Sequence, residues 1–131
     1  GIAAACDIRI AADHARFSFP EPEHGLMPAA GGTQRLAQVV GKGRAKELIL
    51  GGRVWEAEEA SRFGLLSQVT KLKKLLPTAQ QWAGRIASRD PVALRLAKQA
   101  IDLDAGGGPG YGFEAVAEAL LYQLRLREKE N

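Results

Sequence analysis

Hydrophobic and polar residues alternate at two places near the start of the chain. Ile8-Arg9-Ile10 puts two apolar side chains on one face of an extended segment. Arg16-Phe17-Ser18-Phe19 repeats the pattern and stops at Pro20, which cannot donate to a ladder. Both segments predict short strands, with a turn or short bridge over Ala11 to Ala15 between them. Leu65-Leu66-Ser67-Gln68-Val69 predicts a third. Glu21 to Ala30 contains Pro22, Gly25 and Pro28 and reads as a loop.

Between and beyond the strands the spacing becomes helical. Gly31-Gly32 leads into Thr33-Gln34-Arg35-Leu36, with Thr33 as the expected cap and Gly41 as the stop. A second helix is expected from near Gly43 to Gly51-Gly52. Trp55-Glu56-Ala57-Glu58-Glu59-Ala60 predicts another, with acidic residues in its first turn and Gly64 at its end. Lys71 to Leu76 fits either state. Pro77 suits the first turn of a helix that continues through Trp82 and Ile86. Pro91 opens the next, with Leu94, Ala97 and Ile101 on one face. Gly106 to Gly112 reads as a loop before a last amphipathic helix marked by Phe113, Val116, Leu120, Leu121 and Leu124. The expected class is α/β: a few short strands followed mostly by helices. Three strands make a poor sheet alone, so the opening strands call for partners outside this sequence.

Composition narrows the class. The 131 residues are 46% hydrophobic and 25% charged, which suits a folded globular chain rather than a disordered one. Aromatics are only 6%, so Ala, Leu, Ile and Val must fill the core. The net charge of +3 comes from 18 basic and 15 acidic residues mixed along the chain. No basic stripe interleaved with aromatics favours nucleic acid, so the charge reads as a mildly basic surface. The single cysteine, Cys6, excludes a disulfide scaffold and a Cys-rich metal site, and reads as a small buried residue. No apolar run is long enough to span a membrane and no targeting signal is visible, so the cytoplasm or the mitochondrial matrix is the expected compartment. The start on Gly1 rather than Met suggests a processed, engineered or truncated terminus.

Three ordered segments carry a resemblance. The first is Ala5-Cys6-Asp7-Ile8-Arg9-Ile10-Ala11. The second is Phe17-Ser18-Phe19-Pro20-Glu21, with Gly25-Leu26-Met27-Pro28 and Ala30-Gly31-Gly32-Thr33-Gln34-Arg35-Leu36 after it. The third is Ala45-Lys46-Glu47-Leu48-Ile49-Leu50-Gly51-Gly52-Arg53, followed by Ala57, Glu59-Ala60 and Gly64-Leu65-Leu66. In order and spacing they resemble the C-terminal half of the crotonase superfamily, the enoyl-CoA hydratases and isomerases. The N-terminal half of that family's spiral sheet and its usual final helix are not found in this sequence. The resemblance is close over residues 1–70, which hold the Pro-Glu and Gly-Gly-Thr-Gln-Arg-Leu segments. It is looser over 71–131, a helical stretch resembling the family's oligomerisation region.

The resemblance implies a coenzyme A thioester as substrate, with no separate cofactor and no metal, and a homotrimer or dimer of trimers. The shared chemistry is stabilisation of the thioester oxygen as it gains charge, by two backbone N–H groups. In the family both donors lie upstream of the segment seen here. Hydration further needs a base for water and an acid for the α-carbon. Of the family's two carboxylates, the one after proline maps onto Glu21 and the other onto Gly1, which has no side chain to do the work. If Gly1 is native, Glu21 alone resembles the arrangement of the double-bond isomerases; if Gly1 is a scar or a cut at the terminus, the two-carboxylate hydratase arrangement stays open. Pro20, Leu26, Pro28, Gly31 and Gly32 are the candidate substrate-binding residues around it. Gly31-Gly32-Thr33 at a helix start could cradle a phosphate, but close packing of the helix on the loop is the favoured reading. Ala29 stands where the family usually has glycine. Glu23, His24 and Lys71, Lys73 and Lys74 read as solvated surface, and Asp7 and Arg9 as structural. The alternative to an acyl-CoA enzyme is a truncated, non-catalytic oligomerisation module; thioester hydrolysis and decarboxylation also remain open, because one fold hosts many chemistries.

Overall fold

The computed structural model describes residues 1–103 and 109–130. Its elements, in order, are α1 (Ile2–Ala5), β1 (Ile10–Ala12), β2 (Arg16–Phe17), a 3-10 helix (Glu21–His24), α2 (Gly32–Val40) and α3 (Lys42–Leu50). These are followed by β3 (Trp55–Glu56), α4 (Ala57–Arg62), β4 (Gln68–Thr70), α5 (Leu72–Ala87), α6 (Pro91–Leu103) and α7 (Pro109–Glu130). The chain divides into two compact units between Gln81 and Trp82.

The first unit holds all the strands. β1 pairs in parallel with β4, Ile10 opposite Gln68 and Ala12 opposite Thr70. Backbone bonds extend this ladder at both ends: Ser67 N–H donates to Arg9 O and Asp13 N–H to Thr70 O, each at 2.8 Å. β2 and β3 form a separate antiparallel pair, with Phe17 opposite Trp55 and Arg16 opposite Glu56. The latter two also bond through their side chains at 3.1 Å, a cross-strand ion pair on the exposed face.

The core of this unit gathers Leu36 from α2, Ala45, Leu48 and Ile49 from α3, Trp55, and Ala57 and Ala60 from α4, with Ala11, Leu65 and Leu66. Trp55, Leu36 and Leu48 are the largest fully buried side chains, each removing about 1.5–3 kcal/mol or more of apolar surface from water. The alanines allow close approach, as the low aromatic content requires. Trp55 meets Phe63 edge-on at 4.9 Å, and the Arg44 guanidinium lies 3.9 Å over the other partner, Phe63. Arg53 ties α3 to α4 by pairing with both Glu47 and Glu59. The second unit is built on α6 packed against α7, with Ala117 buried.

Several elements differ from the sequence reading. The first strand lies at Ile10–Ala12, not Ile8–Ile10, so the expected bridge at Ala11 is ladder instead. A buried parallel strand need not alternate, and the small Ala11 and Ala12 hide the signal. Trp55–Glu56 is a strand rather than the first turn of a helix, because Arg16–Phe17 pairs with it across 40 residues of sequence. The third strand runs Gln68–Thr70, later than expected. The cap of α2 is Gly31, not Thr33, and no side chain bonds there. Pro77 sits inside α5, which starts at Leu72, and not in its first turn. Cys6 is exposed rather than buried: it closes the single turn of α1, and its Sγ points back to Ile2 O at 3.6 Å. Of the expected glycine-rich loop, residues 104–108 lie outside the described residues, and α7 already begins at Pro109.

Candidate active site

Glu21 opens the 3-10 helix that follows β2. Pro20 precedes it at φ −78°, ψ −7°, and the Glu23 N–H bonds back to Pro20 O at 3.1 Å. The turn is closed by two further bonds, Gly25 N–H to Pro22 O at 3.1 Å and Leu26 N–H to Glu21 O at 3.0 Å. The Glu21 backbone is therefore fixed from both sides. Its side chain is half-buried, and Oε2 is shielded from solvent yet accepts no hydrogen bond from the described residues. A buried carboxylate oxygen without a donor is costly and unusual. Among the described residues it is left as an open acceptor.

The loop beyond Leu26 returns to the same place. Pro28 is buried, and Gly32, at the start of α2, lies against Phe19 and Pro28: a Cβ at position 32 would stand 2.9 Å from Phe19 Cε1 and 3.6 Å from Pro28 Cβ. Phe19 is two residues before Glu21. Ala30 and Gly31 both have positive φ, at 52° and 72°. For alanine this left-handed conformation costs roughly 1–2 kcal/mol. Arg35, one turn into α2, donates from Nη1 to Ala30 O at 2.5 Å, and the same nitrogen fills the space a Gly31 Cβ would need, at 2.8 Å.

The predicted residues fall into separate groups. Pro20, Glu21 and Leu26 lie in and beside the 3-10 turn, whereas Gly32 lies against Pro28 and Phe19. Gly31 caps α2 under the Arg35 guanidinium. The spaces over both glycines are occupied by protein, which is the packing use expected for them. Pro20 and Leu26 are exposed, Leu26 at 65% and its neighbour Met27 at 77%, so this rim is apolar and open. Gly1 borders the same loop: a Cβ there would lie 3.7 Å from Ala29 O. Sequence reasoning missed Phe19 and Arg35 as site residues. The signal for Arg35 was its spacing of four from Gly31, one helical turn.

Other charged groups serve the frame. Arg9 donates from Nε to Leu65 O at 2.6 Å and to Cys6 O, joining β1 to the segment before β4. Lys71 donates to Asp13 at 2.5 Å, holding the Asp13 carboxyl below its ordinary range and the Lys71 ammonium above its own. Among the described residues no cluster of His, Cys, Asp or Glu could hold a metal. An apolar groove of about 450 Å³ lies elsewhere in this unit, lined by Ile8, Ile10, Leu72, Leu75, Leu76 and Ala79.

Residues 1–110 match the family described as enoyl-CoA hydratase/isomerase. The chain belongs to this family. Among curated relatives, the short-chain-enoyl-CoA hydratase of Clostridium acetobutylicum is 48% identical over 101 residues, covering 77% of this chain and 39% of the relative. The probable enoyl-CoA hydratase of Mycobacterium leprae is 42% identical over 126 residues, 95% of this chain and 46% of the relative. Solved structures agree. Enoyl-CoA hydratase from Bacillus anthracis superposes with a TM-score of 0.84 at 38% identity, over 98% of this chain and 53% of the other. The enoyl-CoA hydratase subunit I of Geobacillus kaustophilus gives 0.87 at 37%, over 93% and 48%. The architecture is therefore part of a crotonase-type α/β fold. The chain spans about half the length, or less, of the relatives it matches.

Proposed function

We propose that this chain carries the proton-transferring carboxylate of an enoyl-CoA hydratase/isomerase-type enzyme, with Glu21 as the acid/base group acting on an acyl-CoA thioester. The observation that supports this most is the Glu21 carboxyl itself: a fixed backbone, a shielded Oε2 and no donor among the described residues. A structural glutamate would be expected to find an Arg, a Lys or an N–H in that setting. The relatives named as enoyl-CoA hydratases support an acyl-CoA thioester as the substrate class.

Two reactions suit such a group. In isomerisation, Glu21 takes a proton from the α-carbon of a 3-enoyl thioester. The electron pair shifts the double bond to the 2-position, and the same carboxyl returns the proton to the γ-carbon. In hydration, water adds its oxygen at the β-carbon and a proton reaches the α-carbon, which calls for a base and an acid in turn. With glycine at position 1, the single-carboxylate route is the one that Glu21 can complete alone. Pro20 and Leu26, with Pro28 and Gly31-Gly32 shaping the loop behind them, would form the protein side of the substrate site. CoA enters as part of the substrate, so no further cofactor is invoked. Assembly as a homotrimer or a dimer of trimers would use the apolar side chains that α6 and α7 leave exposed, among them Val92, Ile101, Val116 and Leu120. No helix among the described residues is long and apolar enough to cross a membrane.

Turnover of a short 2-enoyl-CoA and a 3-enoyl-CoA by the chain and by Glu21→Gln tests the proposal. A fall of about 10²–10⁴-fold in the variant is expected. Unchanged turnover in the variant would remove Glu21 from the chemistry. No turnover by the folded wild-type chain would favour the non-catalytic oligomerisation module.

A further inference from the structure

We propose that Arg35 is a positioning residue for Glu21: its guanidinium clamps the left-handed turn at Ala30–Gly31 and so holds the start of α2 against Phe19, two residues before the carboxylate. The inference rests on the reading of Glu21 as the acid/base group.

Arg35 is exposed, and among the described residues it pairs with no carboxylate. A solvent-facing arginine ordinarily gains little by folding back onto a backbone carbonyl, because water competes for the same donors. Here it does so at a place where the backbone needs help. Ala30 and Gly31 are consecutive residues with positive φ, and alanine does not hold that conformation by preference. Nη1 bonds Ala30 O at 2.5 Å, while the guanidinium covers Gly31 on the side from which a Cβ is missing, with Cζ at 3.3 Å and Nε at 3.8 Å from that point. One planar group thus bonds the first residue of the turn and packs on the second. Lysine could make the bond but not the plane.

The turn has a definite downstream effect. Gly31 O accepts the Arg35 N–H at 2.9 Å, and the Gly32 N–H donates to Ala29 O at 3.0 Å, so the turn sets where α2 begins. That start places Gly32 on the Phe19 ring and on Pro28. Phe19 leads through Pro20 to Glu21, and Glu21 O is tied to Leu26 N–H on the other side. Releasing the turn lets Gly32 back away from Phe19. Phe19 is then free to shift, and the backbone that runs from it through Pro20 to Glu21 shifts with it. Phe19 also packs on the core cluster that holds Leu36 and Leu48, so the test separates a shift at Glu21 from a general loosening of that core.

The test compares wild type, Arg35→Lys and Arg35→Gln in the full chain. Kinetics with a short 2-enoyl-CoA and a 3-enoyl-CoA give kcat and KM. In parallel, NMR follows amide exchange at Leu26 and the pH titration of the ¹³C-labelled Glu21 carboxyl. In Arg35→Gln the expected result is a kcat on the order of 10–100-fold lower with KM changed much less. The Leu26 amide exchanges faster, the Glu21 titration moves, and the amides of Leu36 and Leu48 keep their protection. Arg35→Lys recovers part of each effect. A Leu26 amide and a Glu21 titration that match wild type in Arg35→Gln overturn the inference, whatever the kinetics show. Equal loss of protection at Leu36 and Leu48 also overturns it, since the role would then be one of general stability. Absence of turnover by wild type counts against the acid/base reading alone, and the NMR arm still decides whether Arg35 sets the Glu21 carboxyl.

Discussion

Gly32 approaches the ring of Phe19 so closely that a methyl group at position 32 would meet Phe19 Cε1 at 2.9 Å. That distance is below any ordinary carbon–carbon contact, so the helix start or the ring must shift. Gly32→Ala is expected to destabilise the chain by about 1–3 kcal/mol, the usual range for overpacking. Phe19→Leu shortens the group that the new methyl meets. In a chemical-denaturation cycle the double variant should be more stable than the sum of the two single costs allows. Simple additivity would show that the contact with Phe19 is not what demands glycine there.

Trp55 is fully buried, yet its Nε1 finds no acceptor among the described residues. Trp55→Ala should cost about 3–5 kcal/mol, by emptying the space beside Phe63. Trp55→Phe keeps most of the apolar volume and removes an N–H that is already unpaired. Its cost in urea denaturation should therefore be well under half that of Trp55→Ala. Similar costs for both would mean that the indole N–H has a partner after all, such as a bound water.

These two sites show what could be read from the chain and what could not. Helix ends were legible where glycine or proline marks them: Gly41 and Gly51 bound α2 and α3 as expected, and Pro91 opens α6. Strands were less so. β1 is built from Ala11 and Ala12, which carry no alternation, and β3 owes its state to pairing with distant Phe17 rather than to its own acidic, helix-like surroundings. Glu21 stood out only because the Pro-Glu and Gly-Gly segments resemble a family; a glutamate after proline is otherwise ordinary surface. The roles of Phe19 and Arg35 were hidden for a different reason. Both depend on the left-handed turn at Ala30–Gly31, and alanine gives no hint of positive φ.

Asp13 and Lys71 join the end of β1 to the start of α5, with His14 Nδ1 also 3.6 Å from the Asp13 carboxyl. The hydrogen bond that Lys71 donates to Asp13 holds the Asp13 carboxyl low and the Lys71 ammonium high. A lowered carboxyl contributes stability above its unfolded value and loses it as pH falls through the folded one. A raised ammonium contributes below its unfolded value and loses it as pH rises through the folded one. The stability difference between wild type and Lys71→Met should thus form a plateau, from above the ordinary carboxylate range to below the ordinary lysine range. It should shrink at both ends, and added salt should lower the plateau because both groups are exposed. Thermal denaturation across pH at two salt concentrations measures this. A difference that grows toward acid would reverse the assigned sign.

Asp90 caps α6, and its role is separable from charge. Asp90 Oδ1 accepts the Ala93 N–H at 2.7 Å, and Asp90 O accepts the Leu94 N–H at 3.0 Å. Pro91 follows at the first helical position, where a missing N–H removes no helix bond. One orphan donor of the first turn is therefore satisfied by a side chain and one position has no donor to satisfy. Asp90→Ala should cost about 1 kcal/mol and speed exchange of the Ala93 amide. Asp90→Asn keeps the acceptor and gives up the negative charge that favours a helix N-terminus. Its cost should be a fraction of that for alanine, and its Ala93 amide should stay protected. If asparagine is as damaging as alanine, attraction to the helix dipole rather than the hydrogen bond is what Asp90 provides. Stability and amide exchange, measured on the same three proteins, decide between them.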